Sequence, residues 1–305
     1  MKKFKKIIEN KSTLDNIFYA CLVFLPLVQF AIFYIGVNAR SIMFVFQKYD
    51  GNNYVANGFA NFATAFSNFS NFPVWKDSLV NSLIIYAVGI IISTPLGILF
   101  SAYIYKKRAG SQFFRIMLFL PTIFPPAVMT LMYSGVTDSV IPTIVRMIDP
   151  NSQFVGILAE KNYVFDGLLF YSIWMGFGTN VLMYVSTMTA IPESVVEASE
   201  LDGCNAIKEF FYITLPYIWP TFTTFMVVGI SGIFTNQFNI YTFFGVEGQE
   251  KGVVTIGYLL FRDTERATPY DYPILATYGV MFTIIAAPLT FLLKHVMNKF
   301  GYSAE

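Results

Sequence analysis

Long apolar runs alternate with polar connections over the whole chain. Six runs are long enough to cross a bilayer, near residues 17–37, 79–104, 113–135, 168–190, 217–240 and 273–296. A hydrocarbon core takes about 20 apolar residues and tolerates only backbone that satisfies its own hydrogen bonds. The pattern therefore predicts an all-α, polytopic membrane bundle of six transmembrane helices. Pro26, Pro95, Pro121, Pro125, Pro126 and Pro288 fall inside these runs. In a membrane bundle, neighbours and local register changes re-satisfy the carbonyls that a proline frees. The pair Pro125-Pro126 predicts a visible kink in the third run.

The connections differ in character. Residues 38–78 hold a QKYDGNNY turn at 47–54, then Phe59, Phe62, Phe66 and Phe69 at helical spacing. That spacing suits a short helix, either in the membrane interface or packed as an ordinary loop helix. Residues 136–166 include an amphipathic piece at 140–148, and 245–272 read as a polar, charged loop. A shorter polar stretch, 193–216, separates the fourth and fifth runs.

Composition agrees with the pattern. Hydrophobic residues make up 55% of the 305, charged residues 13%, and mean hydropathy is +0.55. A soluble domain carries about a quarter charged residues. The basic N-terminus, 1–11, precedes a run long enough to span, and no A-x-A-like cleavage pattern follows it. It reads as a first span rather than a secretory signal. Two cysteines at different expected depths, Cys21 and Cys204, argue against a disulfide. With one histidine, His295, they also argue against a zinc site. No GxxxxGK[ST] loop occurs, so the chain is not expected to bind ATP in that way. No catalytic His, Cys or paired carboxylate lies within a run. The chain is not expected to be an enzyme, and no cofactor or metal is predicted.

Lysine and arginine set the expected orientation. Lys2, Lys3, Lys5, Lys6 and Lys11 precede the first run. Lys106, Lys107, Arg108 and Arg115 follow the second, and Lys294 and Lys299 end the last. With six spans these segments share one side, so both termini and the 193–216 stretch are expected in the cytoplasm of a bacterial cell. High Asn, Lys, Phe and Tyr content suits an AT-rich bacterial genome.

The stretch EASELDGCNAIKEFFYITLP, 197–216, is the most specific motif. Pro192 ends the fourth run, and acidic residues in the next helical turn suit its positive end. Ala198 and Ser199 are small, Gly203 suits a turn with positive φ, and Phe210, Phe211 and Ile213 form an apolar face. Leu215-Pro216 is expected to redirect the chain into the fifth run. This stretch resembles the EAA loop of permease subunits in binding-protein-dependent ABC importers. It matches at Ile191, Pro192, Glu197, Ala198, Asp202, Gly203, Phe210, Ile213, Leu215 and Pro216, with Ser199 and Cys204 where alanine is usual. Looser matches at 41–51, 81–105, 115–133 and 173–178 point to the carbohydrate-uptake permeases of maltose-importer type, the first of the pair. The Gly-Gly-Pro usual after the fifth span is absent, replaced by FFGVEGQEKG at 243–252.

The resemblance implies one permease domain over 1–305, with a coupling loop at 193–216 that docks on an ATPase. Its coupling residues are Glu197, Ala198, Ser199, Asp202, Gly203, Leu215 and Pro216. It implies a second permease, two ATPase subunits, an external solute-binding protein and a carbohydrate substrate, probed by sugar contacts near Gly176, Thr179 and Asn236. Polar residues inside spans are functional candidates on their own account. Tyr133, Trp174, Asn180, Gln237 and Asn239 join the substrate-binding set on that ground. Each could instead bond helix to helix, and Gln237 and Asn239 could lie at the external interface. Sparse charge within the spans disfavours a strongly charged solute. Alternatives are a permease for glycerol phosphate, a polyamine or an amino acid, or, from another class, an ion-coupled carrier or channel. The latter calls for an ionisable residue in mid-span, which the sequence does not offer.

Overall fold

The computed structural model describes residues 11–301. The N-terminal lysines Lys2, Lys3, Lys5 and Lys6 lie outside the described residues. Six helical stretches are long and apolar enough to span: Phe18–Val45, Pro73–Tyr105, Pro126–Ile148, Lys161–Thr189, Ala206–Glu247 and Tyr272–Phe300. All but the third overlap the expected run almost fully.

The chain divides into two compact units, 1–67 with 267–281, and 68–266 with 282–305. The first holds helices α1 (Lys11–Gln29) and α2 (Val37–Val45), joined without interruption by a π-helical stretch at Phe30–Gly36. A hairpin follows, β1 (Gln47–Tyr49) against antiparallel β2 (Tyr54–Ala56), with Tyr49 opposite Tyr54. Its turn is the expected one. Asp50 accepts from the backbone N–H groups of Asn52 and Asn53 at 2.9 and 2.8 Å, and these bonds hold its carboxyl below the usual range. Gly51 supplies φ +107°. The Asn61 amide donates to the carbonyls of Val45 and Gln47, satisfying the end of α2. Asn61 belongs to α3 (Ala60–Asn71), the helix expected from the phenylalanine spacing.

The second unit carries α4 (Pro73–Val88), α5 (Thr94–Tyr105), α6 (Ser111–Ile123), α7 (Pro126–Gly135), α8 (Ile141–Ile148) and α9 (Lys161–Thr189). Next come α10 (Glu193–Leu201), α11 (Ala206–Glu209), α12 (Leu215–Thr235), α13 (Ile240–Phe244), α14 (Ile256–Glu265) and the later part of α15 (Tyr272–Phe300). Helix α9 is the central element, packed on α5, α6 and α12. Its close approach to α6 needs Gly178, where an added Cβ would sit 2.0 Å from the Leu118 carbonyl oxygen.

Prolines act here in two ways. Pro95, Pro142 and Pro216 each follow a π-helical turn, at Gly89–Ser93, Val136–Val140 and Phe210–Thr214. In each, the N–H just before the proline bonds five residues back: Thr94 to Gly89, Ile141 to Val136, Leu215 to Phe210. The wider register absorbs the missing proline donor, so the helix runs on. Leu215-Pro216 therefore does not redirect the chain as the sequence suggested, and helix continues from Ala206 to Thr235. The pair Pro125-Pro126 does break it. A proline forces its predecessor out of the helical region, and two in succession extend both Phe124 (ψ 145°) and Pro125 (ψ 137°). The third run, expected at 113–135, is thus two helices, and the spanning stretch begins at Pro126.

Three polar segments meet at one end of this unit. Lys106, closing α5, forms an ion pair and hydrogen bond with Glu209 of α11. Trp219 Nε1, in the first turns of α12, donates to the Met297 carbonyl of α15 at 2.9 Å. The basic connection after α5, the 193–216 stretch and the end of the last span thus share an end, as the charge pattern anticipated.

The stretch 245–272 departs from its reading as a polar loop. Val253, Val254, Thr255, Ile256, Tyr258 and Leu259 are all buried. Gly257 lies against the backbone of Thr235 and Asn236, where a Cβ would come within 2.5 Å. The expected amphipathic piece at 140–148 is α8, with Ile144, Met147 and Ile148 exposed and Pro142 buried.

Candidate functional site

Two regions hold the residues singled out in the sequence. At the polar end, α10 starts after Pro192 with Glu193 in its first turn. It stops at Gly203, where φ is +76°. Gly203 N bonds to Glu200 O at 3.0 Å and Cys204 N to Ser199 O at 2.9 Å. These are the two crossed bonds of a Schellman stop, with glycine at the left-handed position. Asn205 then caps α11 by accepting from Lys208 N. The sequence had marked the glycine but not the asparagine.

Glu197, Ala198, Asp202 and Gly203 are exposed. Ser199 is buried, with its hydroxyl donating to Val196 O at 2.7 Å, so its small size serves packing against the bundle. Phe210 packs on the cluster of Ile98, Tyr184, Met188 and Ile218. Phe211 does not share that role. It is exposed, together with Leu201 (90%), Ile207 (68%) and Tyr212 (72%). The loop thus exposes both acidic and apolar side chains. Leu215 and Pro216 are half-buried at the start of α12.

The second region is a cavity of about 370 Å³ among α4, α9 and α12, lined by Asn180, Asn236, Ser82, Tyr86, Ser93 and Tyr184 among others. None of its lining residues carries a charge. Asn236 is the first residue past α12, with ψ 115°. Its Oδ1 accepts from Phe238 N at 2.8 Å, and its carbonyl accepts from Thr255 Oγ1 at 2.9 Å. Helix was expected through residue 240, but Phe238 and Asn239 both take left-handed backbone, φ 57° and 55°. The unwinding places Asn236 at the cavity wall. Ser82, which lines the same cavity, accepts from Ile256 N, and Asn81 donates to Val254 O. The buried 253–259 stretch therefore closes this region through polar bonds. Tyr184 Oη is buried without a partner among the described residues.

The other candidates do not converge there. Tyr133 donates to Gly167 O at 2.7 Å and packs on Tyr171, Trp174 and Phe243. That bonding gives it a helix–helix role. Trp174 stands at the edge of this aromatic group, 37% exposed. Thr179 is exposed, and neither it nor Gly176 lines the Asn180–Asn236 cavity. Gln237 Oε1 is buried without a partner among the described residues, and Asn239 adopts the left-handed turn before α13. Ser82, Tyr86, Ser93 and Tyr184 were missed. Their signal was available, since each is a polar group inside an apolar run.

Residues 93–301 match the family model described as "Binding-protein-dependent transport system inner membrane component". MsmF of Streptococcus mutans, a multiple sugar-binding transport system permease, is 22% identical over 177 residues, 58% of this chain and 61% of that protein. UgpA of Escherichia coli, an sn-glycerol-3-phosphate transport system permease, is 23% identical over 295 residues, 92% of this chain and 94% of that one. The alignment with MsmF spans about three-fifths of that relative, whereas UgpA is matched nearly end to end. A chain of a bacterial ABC transporter that imports the acidic polysaccharide alginate has the same fold. Its TM-score is 0.73 at 18% identity, with 98% of this chain and 99% of that one covered.

Proposed function

Because this chain belongs to the family of binding-protein-dependent transport system inner membrane components, we propose that it is the membrane subunit of an ATP-driven carbohydrate importer. In this reading residues 1–305 form one permease domain. Both termini and the 193–216 loop face the cytoplasm, and ATP is hydrolysed on a partner. The partners are a second permease, two ATPase subunits and an external solute-binding protein. The alginate importer has been crystallised with a periplasmic protein holding an alginate pentasaccharide, and MsmF is named for sugars.

The observation that carries the substrate class is the uncharged cavity, part polar and part apolar, that Asn180 and Asn236 line. Asn and Ser side chains both donate and accept, which matches sugar hydroxyls. A phosphate would call for Arg or Lys, and none lines this cavity. That favours a neutral sugar over the glycerol phosphate of UgpA. Closure of the ATPase dimer would move the exposed face of α10 and, through Glu209 and Lys106, the end of α5. The cavity would then open outward to receive substrate from the binding protein.

The test is uptake by proteoliposomes holding the complex purified through this chain. ATP-dependent accumulation of a labelled oligosaccharide that needs the binding protein is expected. Uptake driven by an ion gradient, with no ATPase in the complex, would overturn the proposal.

A further inference from the structure

The polar end of the second unit holds a feature that lies outside the proposed substrate cavity. An apolar groove of about 320 Å³ runs along α5, α6 and α9, between Ile104, Ile116, Leu118, Phe119, Val181 and Val185. Arg115 lines it as well. Arg115, Ile104 and Val185 also border a wider opening of about 720 Å³, which Lys107 and Arg108 line as well. An apolar slot thus continues into a basic pocket. The ion pairs among the described residues are Lys106–Glu209 and Arg262–Asp263, so no carboxylate of the described chain neutralises Lys107, Arg108 or Arg115.

We propose that this continuous groove binds one anionic glycerophospholipid, with an acyl chain between α6 and α9 and the phosphate at Arg115, Arg108 and Lys107. Each half of the feature selects part of that molecule. The slot has room for a hydrocarbon chain, and apart from Arg115 its side chains are apolar. The guanidinium groups can fork onto phosphate oxygens. A basic pocket between helices on the cytoplasmic side is where an anionic headgroup lies in reach. A zwitterionic lipid would fill the slot equally well but bring a cation against three others. The leaflet that supplies the lipid rests on the orientation proposed above, whereas binding in detergent does not, so labelling of the Ser111 loop tests that orientation separately.

The experiment is native mass spectrometry of the purified complex, titrated with palmitoyl-oleoyl phosphatidylglycerol or with the matching phosphatidylcholine. Preferential retention of one phosphatidylglycerol is expected. Arg108→Gln with Arg115→Gln should weaken it about fivefold for each cation removed. Ile116→Trp, which fills the slot and leaves the charges in place, should weaken both lipids. Equal retention of the two lipids by the unaltered complex would overturn the proposal. So would insensitivity to both variants, or efficient cross-linking of Ile116→Cys to the second permease, which would mean that protein occupies the groove.

Discussion

Asn236 combines a structural and an exposed group in one carboxamide. Its Oδ1 is committed to Phe238 N, which holds the turn after α12, while its Nδ2 has no partner among the described residues. The two roles can be separated by substitution. Asn236→Asp keeps the acceptor and loses the donor, so the complex should assemble normally while uptake per complex falls. Asn236→Ala loses both, and assembly should fall as well. Leaving a sugar hydroxyl unpaired costs about 1–3 kcal/mol, so a rise of about fivefold or more in the apparent uptake constant is expected. Thr179→Val should have a smaller effect, because Thr179 does not line this cavity. Unchanged uptake per complex in Asn236→Asp would leave the residue a purely structural role. Gly203 is a simpler case. A β-branched side chain at φ +76° costs about 1–2 kcal/mol and distorts the Schellman stop that aims the loop. Gly203→Val should insert and assemble yet fail to couple ATP hydrolysis to uptake, read as the ratio of phosphate released to sugar imported. The glycine and its turn were legible in the sequence because the chemistry is local. The division of labour between Ala198, exposed, and Ser199, buried, was not, since two adjacent small residues look alike until a helix turns them 100° apart.

At the scale of elements, the spans were legible and their joints were not. A long apolar run announces a membrane helix, but the same proline leaves a helix continuous after a π turn, as at Pro216, or breaks it when doubled, as at Pro125-Pro126. The segment 253–259 went unread because it is too short to span and lies beside charged residues. Its apolar sequence, VVTIGYL, marks it in hindsight as a packed element. The joint proposed to carry coupling is Lys106–Glu209, which links α5 to α11 over more than a hundred positions of sequence. No pattern in a single sequence pairs residues that far apart. Glu209 is buried while the Lys106 side chain is 32% exposed. The expected cost of breaking the pair therefore falls between about 1 kcal/mol for an exposed bridge and about 3–5 kcal/mol for a buried one. Glu209→Lys alone should lower both thermal stability and the coupling ratio. Lys106→Glu combined with Glu209→Lys should recover most of each. If the double variant is no better than the singles, the pair does not transmit loop movement.

For the whole molecule, orientation is the property on which every functional reading turns. The ion pair and the Trp219–Met297 bond put the connection after α5, the 193–216 loop and the end of α15 at one end of their unit. The basic residues at that end outnumber those of the far connections relative to length, and the proposed cytoplasmic placement rests on that excess through the positive-inside rule. The acidic character of 193–216 does not oppose this, because carboxylates contribute little to topology. Ser111 opens α6 at that end, and Asn151 is exposed in the connection between α8 and α9. With Cys21 and Cys204 first replaced, Ser111→Cys should react with a membrane-impermeant maleimide only after cells are opened. Asn151→Cys should react in intact cells. The reverse pattern would put the 193–216 loop outside, beyond reach of any ATPase, and the importer reading would fail with it. Labelling of both positions in intact cells would instead place the two connections on one side, which six spans do not allow.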